Sequence, residues 1–188
     1  MIEKIRVLYS RNHQTIFPRL GVFLAGPTPP EDEMLNAWRR VIIKALLNNP
    51  NLDPSMVVVA PEPENGKWDD IDTSDGTILS KVQNKQVPWE WQYLGLCDIT
   101  AFWLPTYWDK ETGGGFPGNI GPTSRFEFGY YLQEYLKNPL RRKFILGAPE
   151  DAESVKWAKR IAEVNGIKWH ILEKGEKDTR ENDISRHF

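Results

Sequence analysis

An α/β fold on a parallel sheet is predicted by three features of this chain. Short apolar runs end in Gly/Pro-rich loops, amphipathic helical stretches separate them, and one run, Met56-Val57-Val58-Val59-Ala60, is continuously apolar and largely β-branched. Such a run is the pattern of a parallel strand buried on both faces. Strands alternating with helices imply parallel pairing through right-handed crossovers.

The elements follow in order. Ile5 to Tyr9 is a candidate edge strand. Gly21 to Gly26 is a strand stopped by Gly26-Pro27-Thr28-Pro29-Pro30. From Glu33 to Leu47, Trp38, Val41, Ile42, Ala45 and Leu46 recur at helical spacing, and Asn48-Asn49-Pro50 ends the helix. After the Met56–Ala60 strand, the polar stretch from Glu62 to Asn84 is too long for a simple connection and reads as a functional or mobile loop. A helix over Val87 to Cys97 leads to a strand over Ile99 to Leu104. A Gly-rich stretch through Gly113-Gly114-Gly115-Phe116-Pro117-Gly118 precedes a helix over Ser124 to Leu136. Phe144 to Gly147 is a strand, and Asp151 to Asn165 is a helix with Asp151 as cap and Asn165-Gly166 as stop. Ile167 to Leu172 is the last strand. Residues 1–174 are expected to form one domain, and the charged segment 175–188 a tail.

Composition narrows the function classes. The 188 residues are 40% hydrophobic and 27% charged, ordinary for a globular protein. A net charge of −2 gives no global pull toward nucleic acid or anionic membrane, so neither is an expected partner. The lone Cys97 excludes an intrachain disulfide and reads as a buried, inert thiol. The N-terminus has no signal-peptide core and no stretch could span a bilayer, so a cytoplasmic location is expected. His13, His170 and His187 lack ligand spacing, so no metal site is expected.

Candidate chemistry gathers at three strand ends, where open α/β sheets bind ligands. Ala25-Gly26-Pro27-Thr28 is small enough for close approach by a ligand, but it lacks the lysine of a P-loop. No G-x-G-x-x-G opens a helix, which argues against dinucleotide binding. Glu90, between Trp89 and Trp91, and Asp98 lie upstream of one strand; Glu90 reads as a crevice acid or a solvated helix residue, and Asp98 as a site acid or a structural hydrogen bond at the strand start. Downstream of it is Glu127, in Thr123-Ser124-Arg125-Phe126-Glu127-Phe128-Gly129. A helix starting near Ser124 puts Glu127 in its first turn, where free N–H groups and the dipole favour the carboxylate. Two readings stand: a helix-start residue that stabilises the turn, or a nucleophile or general base partly shielded by Phe126 and Phe128. A second carboxylate nearby would divide the labour, one attacking and one supplying a proton. The eight tryptophans read as packing or as an aromatic ligand pocket.

Four blocks in order resemble the nucleoside 2-deoxyribosyltransferase-like family over roughly Gly21 to Pro149. They are Val22 to Pro30 with Trp38-Arg39, then Gln86-Val87-Pro88-Trp89-Glu90, Cys97-Asp98 to Pro105, and Thr123-x-x-Phe126-Glu127-Phe128-Gly129. The resemblance implies a flavodoxin-like (Rossmann-like) three-layer sandwich with a five-stranded parallel sheet in the order 2-1-3-4-5. It also implies a homo-oligomer that needs no cofactor and acts on nucleosides or nucleotides and a free base. Carried over, Glu127 attacks the anomeric carbon of a 2-deoxynucleoside and forms a glycosyl ester. Glu90 protonates the leaving base, and Asp98 matches an acidic position at the strand start. Gly26, Pro27 and Thr28 line the pocket, and Trp89, Trp91 or Trp103 stacks on the base. The family's better-known branch carries an acid a few residues before the nucleophile; Asn119 or Thr123 stands in that stretch here. Arg125 binds a 5′-phosphate if it points inward, but residues two apart on a helix face different directions. The alternatives are a 2-deoxynucleoside 5′-monophosphate N-glycosidase, with water as acceptor, and a non-catalytic nucleotide-binding domain.

Overall fold

Val57-Val58-Val59-Ala60 is a strand buried along its whole length, as its composition requires. In the computed structural model, which describes residues 5–10, 12, 20–28, 37–68, 86–104, 122–150, 152 and 155–172, it is β3. Before it come β1 (Arg6–Tyr9), β2 (Gly21–Ala25) and helix α1 (Trp38–Asn48). After it come α2 (Gln86–Leu96), β4 (Ile99–Trp103) and α3 (Pro122–Lys137). Then follow β5 (Lys143–Pro149), α4 (Lys156–Val164) and β6 (Trp169–Leu172).

The strands form one sheet in the order β1-β3-β2-β4-β5-β6, with parallel registers. The sheet therefore has six strands, not the expected five. The addition is the leading segment: β1 pairs with β3 from Arg6↔Val57 to Tyr9↔Ala60, its Leu8 buried and its Arg6 exposed. With β1 set aside, the remaining strands run in the expected 2-1-3-4-5 order. The chain divides into two compact units, residues 1–24 with 28–98 and residues 25–27 with 99–188.

In the first unit, β2 is buried throughout and pairs with β3 from Gly21↔Val57 to Phe23↔Val59. Helix α1 buries Arg39, Ile42, Ile43 and Leu46, the i, i+3, i+4, i+7 stripe of a helix lying on a core. Its expected start at Glu33 lies outside the described residues. Helix α2 buries Trp89, Tyr93 and Leu94, with the Trp89 and Tyr93 rings 4.8 Å apart. Cys97 is buried, as expected.

In the second unit, register Thr100↔Phe144 and Phe102↔Leu146 puts Phe102 and Phe144 on one face of the sheet. There Phe128 of α3 meets Phe102 at 5.5 Å, Phe144 at 5.8 Å and Trp157 of α4 at 5.0 Å, mostly edge-on. Such pairs add about 0.5–1.5 kcal/mol each beyond area burial. Helix α4 stops where Gly166, at φ 66°, turns left-handed and its N–H donates to the Glu163 carbonyl. Its N-cap is Val155, without a side-chain bond, and the expected cap Asp151 lies outside the described residues, as does the 175–188 tail.

On the opposite face, Trp103 pairs with Gly147, and the indole fills the space a side chain would take. A Cβ at Gly147 would sit 2.5 Å from Trp103 Cζ3 and 2.6 Å from the His170 carbonyl oxygen. Because one obstacle is backbone, Gly147→Ala is expected to cost about 1–3 kcal/mol, read as a lower urea midpoint at unchanged slope. Among the described residues, no helix is long and apolar enough to cross a membrane.

Candidate active site

Proline opens α3 at Pro122, where a missing N–H costs nothing. The helix thus begins two residues earlier than expected, and Glu127 is its sixth residue, with no acidic side chain in the first turn. The expected favourable contact with free N–H groups is therefore corrected: only the first four N–H groups are unpaired, and the dipole's effect fades within that turn. What draws Glu127 inward is helical period. Ser124, Glu127, Phe128, Tyr131 and Leu132 form one buried stripe, at i, i+3, i+4, i+7 and i+8. Glu127 is 7% exposed, in a stripe otherwise built mainly to meet a core. Phe128, next in the chain, is buried against Phe102, Phe144 and Trp157, whereas Phe126 turns outward and stacks on Tyr130. Arg125 is exposed and off the stripe.

A carboxylate is rarely buried without reason, because losing its hydration must be offset by local partners. Tyr131, one turn further along, shares the stripe. Its phenol pKa is raised, first by burial, then by Tyr130 and the Glu127 charge, with Arg142 opposing. Tyr131 therefore stays a neutral hydroxyl beside Glu127. Since the folded pKa lies above the unfolded value near 10, this group's contribution to stability is complete below that pH and is lost as pH rises beyond it. Urea midpoints between pH 9 and roughly 11.5 are expected to fall less steeply in Tyr131→Phe than in wild type.

The second unit also holds the turn at the carboxyl end of β2. Gly26 has φ 145°, a conformation L side chains rarely adopt, and Pro27 is buried beside it. Trp103, half-buried over Gly147, belongs to this unit too.

The first unit carries the other candidates. Glu90 on α2 is half-buried and accepts a hydrogen bond from Gln86 Nε2 one turn back. Thr28 is half-buried. Trp89, expected to stack on a base, is corrected to a core residue: it is fully buried, and its indole N–H donates to the Asn12 carbonyl at 2.8 Å. Trp91, two residues on, is 51% exposed. Asp98 takes the structural one of its two readings, a hydrogen bond at the strand start. Its Oδ2 accepts from the Gly21 N–H at 2.9 Å, and its own N–H donates to the Gly21 carbonyl at 2.9 Å. This clamp lies at the amino ends of β2 and β4, the wrong end for a group that joins ligands at the carboxyl ends. Asn119 and the Thr123 side chain lie outside the described residues.

Sequence reasoning missed a buried charge cluster in the first unit. Arg39 and Glu62 are both fully buried, with Nη1 and Oε2 3.4 Å apart. Arg40 Nε is 2.7 Å from Glu62 Oε1, without the alignment of a hydrogen bond. Arg40 Nη2 donates to the Pro63 and Glu64 carbonyls at 2.7 and 3.0 Å, and its guanidinium covers the Tyr9 ring at 4.6 Å. Arg39 Nε donates to the Leu24 carbonyl at 3.0 Å. The signal was present: Arg39 occupies a stripe position that period alone assigns to an apolar residue. No family model matches the chain, and no curated protein matches it.

Proposed function

We propose that the protein is a nucleoside 2-deoxyribosyltransferase of flavodoxin-like fold, with Glu127 as its covalent nucleophile. The observation that carries this reading is Glu127 itself, a carboxylate held 7% exposed on the inward stripe of the helix that follows β4. The motif resemblance supplies the reaction, and the residue types suit it. A Glu127 oxygen bonds to the anomeric carbon as the C–N bond breaks, and that bond's electron pair leaves with the base nitrogen, which takes a proton. A nitrogen of the second base then attacks the same carbon, its proton returning to the carboxylate that gave one up in the first step, and releases the Glu127 carboxylate. Two displacements at one carbon give net retention, as in retaining glycosidases. Glu90 is proposed as the proton donor, and the Gly26-Pro27 turn as a wall of the sugar and base pocket. The outward Arg125 gives α3 no reason to require a 5′-phosphate, which favours nucleosides over nucleotides.

Incubation with deoxyinosine and free adenine is expected to yield deoxyadenosine. Base release without exchange would assign the hydrolase instead, and neither reaction across the common nucleosides would sink both. Intact mass after a 2-fluoro-2-deoxynucleoside should show a sugar adduct that maps to Glu127.

A further inference from the structure

Strands β2 and β3 part company before either ends. Their register runs Gly21↔Val57, Val22↔Val58 and Phe23↔Val59, after which β3 continues only with β1, to Tyr9↔Ala60. The Leu24 carbonyl lies just past the last pair, on a residue with no exposed surface. A buried carbonyl needs a donor. Arg39 supplies it, Nε to oxygen at 3.0 Å, while Nη1 of the same group faces Glu62 at 3.4 Å. Glu62 is itself anchored: its N–H donates to the Ala60 carbonyl at 2.8 Å, its carbonyl accepts from Ser10 N–H at 3.0 Å, and Arg40 lies 2.7 Å from Oε1. A planar guanidinium can serve two acceptors in fixed directions at once, which an ammonium on a flexible stem cannot.

We infer that Arg39 is a positioning residue: its fork sets the Leu24 peptide and, through the two bonds that follow, the Gly26-Pro27 turn. The turn's role in holding substrate rests on the transferase reading above. Apolar side chains in place of both Arg39 and Glu62 would complete the stripe without desolvating a charge, and such replacements of buried ion pairs are often neutral or stabilising. The ion pair by itself therefore gives little reason for arginine here. The geometry does, because Leu24 stands two residues before Gly26, whose φ of 145° leaves the turn little steric guidance of its own.

Hydrogen exchange at the Gly26 and Thr28 amides, with steady-state kinetics, tests this. In Arg39→Met those amides should exchange at least tenfold faster than in wild type, while the Leu104 amide, bonded to the Gly147 carbonyl, keeps its rate. KM for the nucleoside should rise tenfold or more with kcat within threefold. Arg39→Lys should show the same pattern more weakly, and it decides the question if Arg39→Met does not fold. Glu62→Gln keeps the Leu24 bond, so its Gly26 and Thr28 amides should stay within threefold of wild type; a tenfold loss of protection there overturns the inference. So does a folded Arg39 variant with wild-type exchange at Gly26 and Thr28, or one in which kcat falls and KM does not move. If the wild type neither exchanges nor releases bases, the transferase reading fails, and amide exchange alone decides the positioning role.

Discussion

Glu127→Gln is expected to lower deoxyribosyl transfer by about a thousandfold or more and to leave the fold intact. Glutamine matches the carboxylate in shape but offers a neutral amide oxygen, so the glycosyl ester cannot form at a useful rate. The 2-fluoro-2-deoxynucleoside adduct should vanish with it. Stability should hold or rise, since the substitution removes a charge from a side chain only 7% exposed, and active-site charges are commonly kept at some cost to stability. Glu127→Asp separates charge from position: it keeps the carboxylate but draws it back by about 1 Å, a displacement that can cost roughly a hundredfold. One consequence does not depend on activity. The Glu127 charge helps to raise the Tyr131 phenol pKa, so that pKa should fall in Glu127→Gln, as ultraviolet titration of the phenolate would register. Full transfer activity in a folded Glu127→Gln protein would return the residue to the helix-stabilising reading.

Much of this arrangement was legible in the residues, and the rest was hidden for identifiable reasons. The Val57-Val58-Val59 run announces a doubly buried strand because no polar residue interrupts it. The helix bearing Glu127 was legible as a helix, but its start was not. Pro122 is compatible with either a loop or a first helical residue, and the two-residue difference moved Glu127 out of the first turn. That shift removed one physical argument for an ionised nucleophile and supplied a better one for burial, the stripe it shares with Phe128 and Tyr131. Trp89 and Asp98 were ambiguous because their partners, Asn12 and Gly21, are each 77 residues away in sequence. No local pattern reports a contact at that separation. The Arg39–Glu62 pair, 23 residues apart, falls between these cases. Arginine on an apolar stripe is a local anomaly, but only the fold reveals what it reaches.

The second large effect is expected from that pair. Glu62→Leu should destabilise the protein by about 3–5 kcal/mol, because it removes the carboxylate that lies between the Arg39 and Arg40 guanidinium groups and leaves Arg39 charged and fully buried. Arg39→Met should cost less. Glu62 then keeps Arg40, 2.7 Å away and 16% exposed on its side chain, and the main loss is the Leu24 carbonyl's donor, about 1–3 kcal/mol. The double variant Arg39→Met/Glu62→Leu should be more stable than the sum of the single changes implies, by roughly 1–3 kcal/mol, since neither charge is left behind. Urea denaturation of the four proteins closes this cycle, and strictly additive losses would show that the two side chains are not coupled. The same double variant separates folding from function. If Arg39 served stability alone, repairing the charge imbalance would also repair nucleoside binding. With the Leu24 carbonyl still lacking its guanidinium donor, stability should recover in part while KM stays at the value of Arg39→Met.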